Sequence, residues 1–244
     1  MSVPDFAERL LEARRSGTPA SWRDIELPDR TAAYAVQDIV ARQLGPVAGW
    51  KVGAADPEAE PMGAPCPVIG ISSSPSAFDG AEWRMRGVEV EVGLRLGRDL
   101  VGAPSRSDCI RAVEALLPVV EVVETRLANW SESPALAKLA DFQSHGALIL
   151  GQPSAIDPAT LDLRDVRAEL AFDGQTVAST RGGNPASDAW RLLVWLAGHA
   201  EARGRPLRAG DVITTGSCTG LLFAAPAARV SAQVLRLGEV VLHF

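Results

Sequence analysis

Lysine is almost missing from this chain. Of its 24 basic residues only Lys51 and Lys138 are lysine, and 244 residues include three histidines, three cysteines and one tyrosine. Each scarcity excludes something. The histidines, His145, His199 and His243, show no His-x-x-x-His spacing and argue against a zinc site. The cysteines, Cys66, Cys109 and Cys218, are odd in number and lack metal-ligand spacing. They argue against a disulfide framework and for a reducing, cytoplasmic setting. No apolar run approaches the roughly 18 residues of a membrane span. The opening stretch, "MSVPDFAERLLEARRSG", is amphipathic, with acids and arginines in place of a basic start and an apolar block. No secretory signal is expected from it. A net charge of −6 with no basic, aromatic-interleaved patch argues against nucleic acid as a partner. Against this background a lysine inside the tight "GWKVG" invites a specific role.

What is present suits one large folded unit. With 47% apolar residues the chain can bury a substantial core. "PDRTAAYAVQDIVARQLG" (28–45) places Ala33, Val36, Val40 and Leu44 at helical spacing and closes on Gly45. From Trp50 the pattern changes to short strands between turns: "GWKVGA", "GVEVEVGLRL", "LPVVEVVETRL" and "HGALILG". "SRSDCIRAVEALL" reads as a helix capped by Ser105 or Ser107, and "SPALAKLADF" as one capped by Ser133 and entered at Pro134. "DVRAELAFDGQTVAST" predicts a hairpin turning at Asp173-Gly174. "NPASDAWRLLVWLAGHAEARG" predicts a helix capped by Asn184 and entered at Pro185. Its apolar stripe is Leu192, Leu193, Leu196 and Ala200, and it ends at Gly204. The tail returns to strand. No repeats, linkers or Gly-x-Gly-x-x-Gly turn appear, so a dinucleotide-binding fold is not expected. The expectation is one α+β, β-rich domain over 1–244, with a helical segment (1–47) packed on the remainder (48–244).

Two acids interrupt the most apolar strand. Side chains alternate across a strand, so Glu89 and Glu91 share one face while Val88, Val90 and Val92 share the other. Downstream, Glu121 lies between pairs of valines in "PVVEVVETR". A carboxylate buried there without a counter-charge costs several kcal/mol or takes up a proton. A cation is therefore expected, either a side chain (Arg126, Arg95 or Lys51) or a metal. Three carboxylates with almost no histidine form a hard-oxygen set suited to Mg²⁺ or Mn²⁺.

Six motifs in order carry a resemblance: "GWKVG", "VEVEVGLRL", "LPVVEVVETR", "LADFQSHGALILG", "GGNP" followed by "WLA", and "LRAGDVITTGSCTG". The chain resembles the fumarylacetoacetate hydrolase superfamily, and within it the 2-keto-4-pentenoate hydratase and 4-oxalocrotonate decarboxylase branch. The resemblance implies a β-rich mixed-sheet roll of the superfamily's C-terminal-domain type. It implies one Mg²⁺ or Mn²⁺ on Glu89, Glu91 and Glu121, with Glu124 the competing third ligand. Lys51 would anchor a substrate carboxylate or move a proton, and Ser144 would hydrogen-bond substrate. Thr215 and Ser217 of "TTGS" would face the substrate, Phe142 would make its pocket more apolar, and Arg126 would stand beside the acids as a substrate-side partner. His145 reads as a hydrogen-bonded core histidine, Cys218 as structural, and Trp190 and Trp195 as packing.

The implied activity is metal-dependent hydration of a small 2-oxo or 2-hydroxy unsaturated acid such as 2-hydroxypentadienoate. Decarboxylation of an oxalocrotonate-like acid comes second and carbon–carbon hydrolysis of an acylpyruvate-like diketone acid third. A homo-oligomer is implied, and so is possible association with a related hydratase or decarboxylase. The non-enzymatic alternative is a catalytically reduced partner subunit of such a complex. The pattern breaks in three places. Val68, in "PCPVIG", stands where hydratases of the branch often carry an acid; Asp79 lies further on and could stand in, with no spacing argument to support it. Phe142 replaces the usual asparagine, and "AAPAARV" replaces a Gly-Asp turn.

Overall fold

The computed structural model describes residues 2–79 and 83–244. Two helices lead. α1 (Val3–Ser16) opens on a reciprocal cap: the Ser2 hydroxyl accepts from the Asp5 N–H and the Asp5 carboxylate accepts from the Ser2 N–H. It closes at Gly17, whose φ of 71° is the left-handed conformation that glycine adopts without a Cβ clash. α2 (Arg30–Leu44) is capped by Asp29 and buries Ala33, Val36 and Val40, the stripe its spacing predicts.

Strands then dominate: β1 (Val47–Gly53), β2 (Met62–Pro67), β3 (Ile71–Ser73), β4 (Ser76–Ala77), β5 (Gly87–Leu96), β6 (Val113–Val123) and β7 (His145–Leu150). They are followed by β8 (Arg167–Phe172), β9 (Gln175–Arg181), β10 (Val212–Ser217), β11 (Leu222–Phe223), β12 (Arg229–Val234) and β13 (Gly238–His243). Helices α3 (Arg106–Ala112), α4 (Ala135–Ala140) and α5 (Ala189–Ala202) lie between them. One sheet runs β2-β1-β10-β5-β6-β7-β3 with β11 beside β5, and a second runs β4-β13-β12-β8-β9. β1 pairs parallel with β10, β3 with β7 and β13 with β4, and the other pairs are antiparallel. This is the mixed, β-rich α+β fold that the motifs imply.

The main core joins both sheets to α5. Val88, Val90, Val92 and Leu94 of β5 meet Leu170, Val230 and Val240 of the second sheet and Leu192, Leu193 and Leu196 of α5. Each such side chain contributes about 1.5–3 kcal/mol when fully buried. A separate cluster packs Phe6, Leu10, Val36 and Val40 of α1 and α2 on Leu127, Leu139 and Phe142.

Several expected boundaries differ, each for a local reason. α5 begins at Ala189 with Asp188 as its cap, accepting from the Trp190 and Arg191 N–H groups, so Asn184 and Pro185 lie outside it. Asn184 instead donates to the carbonyls of Thr215 and Gly216. α3 stops at Ala112, because Val113 onward pairs with β5 and sheet pairing overrides helical spacing. α4 starts one residue later than expected, after Pro134, while the Ser133 hydroxyl turns back to the Trp130 carbonyl. The hairpin turns as predicted: Asp173 and Gly174 have φ of 50° and 81° between the paired Phe172 and Gln175. No helix among the described residues is long and apolar enough to cross a membrane.

α5 is tied to α2 through Arg203, which pairs with Asp38 at 2.7 Å and donates to His199 Nε2 at 3.1 Å. His199 stacks on Trp195 at 4.5 Å and meets the Tyr34 ring edge-on at 4.3 Å. Burial, and then the Arg203 charge, hold its pKa down to about 4. An unfolded chain protonates histidine near about 6.5, so the unfolded state takes up the proton first. Stability from this contact is present above about 6.5 and is lost as pH falls towards about 4. Thermal melts of His199→Gln should show a flatter acid limb across that window. An unchanged limb would assign the sensitivity elsewhere.

Candidate metal centre

β5 and β6 pair antiparallel with Glu89 directly opposite Glu121. Alternation sends the β5 valines into the core and brings Glu89 and Glu91 to the face that Glu121 also occupies. One carboxylate oxygen from each of the three lies within 4.8 Å of the others. Glu121 is fully buried, Glu91 is 1% exposed and Glu89 is half-buried. Like charges facing each other across a strand pair repel, so this arrangement needs positive charge.

One cation is already there. Lys51, on β1, donates from Nζ to Glu121 Oε1 at 2.6 Å and to the Gln143 carbonyl at 3.3 Å. His145 Nδ1 lies 3.1 Å from the same Glu121 oxygen. Glu121 Oε1 is therefore doubly held while Oε2, also buried, has no partner among the described residues. Burial lowers the His145 pKa, so its neutral ring donates from Nδ1. A bulge in β10 opposite β5 brings the Gly216 N–H to Glu91 Oε2 at 2.8 Å. Gly216 has φ of 90°, a conformation that strains any side chain. The Ser217 hydroxyl bonds Glu89.

The electrostatics are unbalanced. Burial, reinforced by the Glu121 charge, raises Glu89 to about 7. Burial and both neighbouring carboxylates raise Glu91 well above the usual carboxylate range. Burial also works against Glu121, yet Lys51 and then His145 hold it at about 2. Burial opposes the charge on Lys51, but Glu121, Glu89 and Glu91 together keep it firmly protonated. Three carboxylates facing one ammonium leave room for a divalent cation by charge. The unpartnered Glu121 Oε2 and the all-oxygen donor set fit a hard ion of the Mg²⁺ or Mn²⁺ class.

A cavity of about 250 Å³ opens on this cluster, lined by Lys51, Glu89, Glu91, Gln143, Gly216 and Ser217 among others. Other expected residues lie elsewhere. Thr215 is fully buried and donates to the Val92 carbonyl at 3.0 Å. The buried Ser144 hydroxyl accepts from Trp130 Nε1 at 2.8 Å. Phe142 packs among the N-terminal helices beneath the Arg14 guanidinium, away from the cavity. Arg126 is committed to Asp141 at 2.6 Å and to the His145 carbonyl at 2.8 Å, so it braces the 141–146 turn and does not reach the glutamates. Glu124 accepts the backbone N–H groups of Arg84, Met85 and Thr125 and stays outside the triad. Arg95 pairs with Glu114. Val68 sits on the half-exposed turn 68–70, and neither it nor Asp79 lines the cavity. The buried Cys218 thiol is pushed up to about 12 by burial and is inert.

Gln143 and the His145–Glu121 contact escape a sequence reading. Phe142, Gln143 and Ser144 have φ of 55°, 51° and 59°, three consecutive non-glycine residues in the left-handed region. No residue type there signals such a turn. Its conformation is what aims the Gln143 carbonyl at Lys51 and the His145 ring at Glu121.

Residues 67–243 match the family model described as fumarylacetoacetate (FAA) hydrolase C-terminal. The chain belongs to that family. It is 30% identical over 254 aligned positions to a 2-keto-4-pentenoate hydratase of Paraburkholderia xenovorans (strain LB400), covering 98% of this chain and 94% of the relative. A 2-keto-4-pentenoate hydratase of Burkholderia vietnamiensis is 32% identical, with coverages of 98% and 96%. In fold, the chain is similar to the 4-oxalocrotonate decarboxylase of Pseudomonas putida G7, solved with magnesium and adipate. The TM-score is 0.87 at 22% identity, over 99% of this chain and 97% of the other.

Removing one ligand oxygen set should show directly in metal affinity. Glu91→Gln is expected to weaken Mn²⁺ binding by more than roughly 100-fold, since even loss of a residue that supports a ligand costs about 10–100-fold. Glu124→Gln should leave it unchanged. Electron paramagnetic resonance titration of free Mn²⁺ measures both, and equal affinities for Glu91→Gln and the unaltered protein would remove Glu91 from the site.

Proposed function

We propose that the protein is a lyase, dependent on Mg²⁺ or Mn²⁺, that hydrates a small 2-hydroxydienoate acid such as 2-hydroxypentadienoate. The observation that carries this reading is the convergence of Glu89, Glu91 and Glu121 with Lys51, beside a small cavity that Glu89, Glu91 and Lys51 line. The full-length similarity to 2-keto-4-pentenoate hydratases supports the substrate class.

The chain's own groups have definable tasks. Glu89, Glu91 and Glu121 would hold the ion, which when bound supplies Lewis-acid stabilisation of negative charge on the oxygen beside the substrate carboxylate. Lys51 stays protonated, so it attracts the substrate carboxylate or donates a proton and does not act as a base. The Ser217 hydroxyl faces the cavity and is free to turn from Glu89 to a substrate oxygen. Val52, Ala54, Ala55 and Met62 give the remaining wall an apolar lining that suits a short hydrocarbon tail.

One observation favours decarboxylation as a second reading. Apart from the candidate ligands Glu89 and Glu91, the described lining of the cavity contains no acid or histidine to activate water. Loss of CO₂ uses the same electron sink and needs no activated water. A homo-oligomer is also part of the proposal: Val68 and Ile69 are 48% and 82% exposed on one turn, an apolar surface suited to self-association. Sedimentation equilibrium at micromolar concentration should give a multimer, and a monomer would overturn that element.

The deciding assay follows the dienol chromophore and CO₂ together, with Mg²⁺ or Mn²⁺, for 2-hydroxydienoates and oxalocrotonate-like acids. Chromophore loss without CO₂ is expected from hydration. Lys51→Ala should retain metal binding and lose most turnover, by about 10²–10⁴-fold for an acid–base role. Full turnover in excess chelator would contradict the metal role, and inactivity of the metal-loaded protein on every substrate would favour a reduced partner subunit.

A further inference from the structure

A second cavity, of about 510 Å³, lies beside the last turn of α1 and shares no lining residue with the cavity over the glutamates. Among the described residues its wall is rich in arginine: Arg14, Arg15, Arg84 and Arg126 contribute, with Trp83 and one carboxylate, Glu124. The partners of these groups can be traced. Arg126 is held by Asp141, and Arg15 by Glu8 and Glu12 at 2.6 and 2.9 Å. Both Glu124 oxygens accept backbone N–H groups; Arg84 donates from one guanidinium nitrogen to the Thr125 carbonyl and approaches the Glu124 carboxylate only to 4.0 Å.

Arg14 is left over. Its Nε is shut off from solvent without a hydrogen-bond partner, and among the described residues its guanidinium makes no hydrogen bond or ion pair. It rests on the Phe142 ring, 5.3 Å from the centroid, which fixes its position. Burial, and then the neighbouring Arg126 charge, push its pKa down to about 9, with Asp141 opposing. Asp141 makes no hydrogen bond or ion pair with Arg14; its carboxylate bonds the Arg126 side chain, the Arg126 backbone N–H and the Thr125 hydroxyl. A guanidinium in that position is stabilised by an incoming anion, and its planar fork matches carboxylate and phosphate oxygens.

We propose that this cavity is a binding site for a small oxyanion, a dicarboxylate or a phosphate, held by Arg14 with Arg84 at its side. The site borders the turn that serves the glutamates. Phe142 supports Arg14 and Gly146 lines the cavity, while between them Gln143 and His145 contact Lys51 and Glu121. The proposal needs none of the chemistry assigned above to the metal centre.

Isothermal titration of the full chain, freed of divalent metal and at low ionic strength, tests it with inorganic phosphate in one arm and succinate in the other. Saturable one-to-one binding of at least one anion is expected, and the preferred arm identifies the source. Arg14→Gln should weaken that binding by roughly tenfold or more, the scale of one charge-assisted hydrogen-bond pair. Arg84→Gln, a change at a partly exposed side chain that leaves α1 intact, should also weaken it. Lys51→Gln should leave it unchanged. No saturable binding of either anion, binding indifferent to both arginine variants, or binding lost in Lys51→Gln would overturn the proposal.

Discussion

Three carboxylates on two adjacent strands, two of them buried and one half-buried, face one lysine, and the architecture around them follows from that constraint. A carboxylate without a partner in a dry interior costs several kcal/mol or gives up its charge. Glu121 keeps its charge because Lys51 and His145 grip one of its oxygens. Among the described residues Glu89 and Glu91 have a hydroxyl and a backbone N–H, respectively, and burial with the neighbouring carboxylates raises their pKa values. The cluster is thus preorganised for one more cation. Its rigidity comes from β5, whose opposite face is anchored in the main core by Val88, Val90 and Val92.

The second requirement is the turn from Asp141 to Gly146. Three left-handed residues in succession are unfavourable, and such a backbone persists only when its surroundings over-determine it. Arg126 supplies much of that restraint through the Asp141 carboxylate and two carbonyls. Trp130 holds the Ser144 hydroxyl and the N-terminal helices bury Phe142. Arg126, Ser144 and Phe142, which a motif reading assigns to substrate, therefore brace the backbone beside the site. They fix the backbone that presents Gln143 and His145. The N-terminal helices enter the same logic, since they pack against Phe142 and carry Arg14 to the second cavity.

On the proposed reading, hydration and decarboxylation would share the electron sink that a bound ion supplies at the carboxylate end of the substrate, and would differ in what approaches the far carbon. The family relationship and the ligand triad concern the first of these. The apolar wall of Val52, Ala54, Ala55 and Met62 concerns the second, and it lacks an ionisable group. On that reading, the wall of Val52, Ala54, Ala55 and Met62 would set which substrate tail fits.

Much was legible in the sequence because it depends on short-range periodicity. The two-residue repeat of β5 put Glu89 and Glu91 on one face, and the isolation of Glu121 among valines marked it as a buried acid. The stripe of α2 and the Asp173-Gly174 hairpin were readable for the same reason. The partners of those acids were not, since Lys51 and Glu121 are 70 residues apart and meet only when β1, β10, β5 and β6 align in one sheet. Nor was the diversion of Arg126 to Asp141, the burial of Thr215, or the capping of α5 by Asp188 in place of Asn184. Local spacing determines which face of an element a side chain occupies. Which charge it meets there depends on packing between distant segments, and that is decided only when the sheets and helices close together.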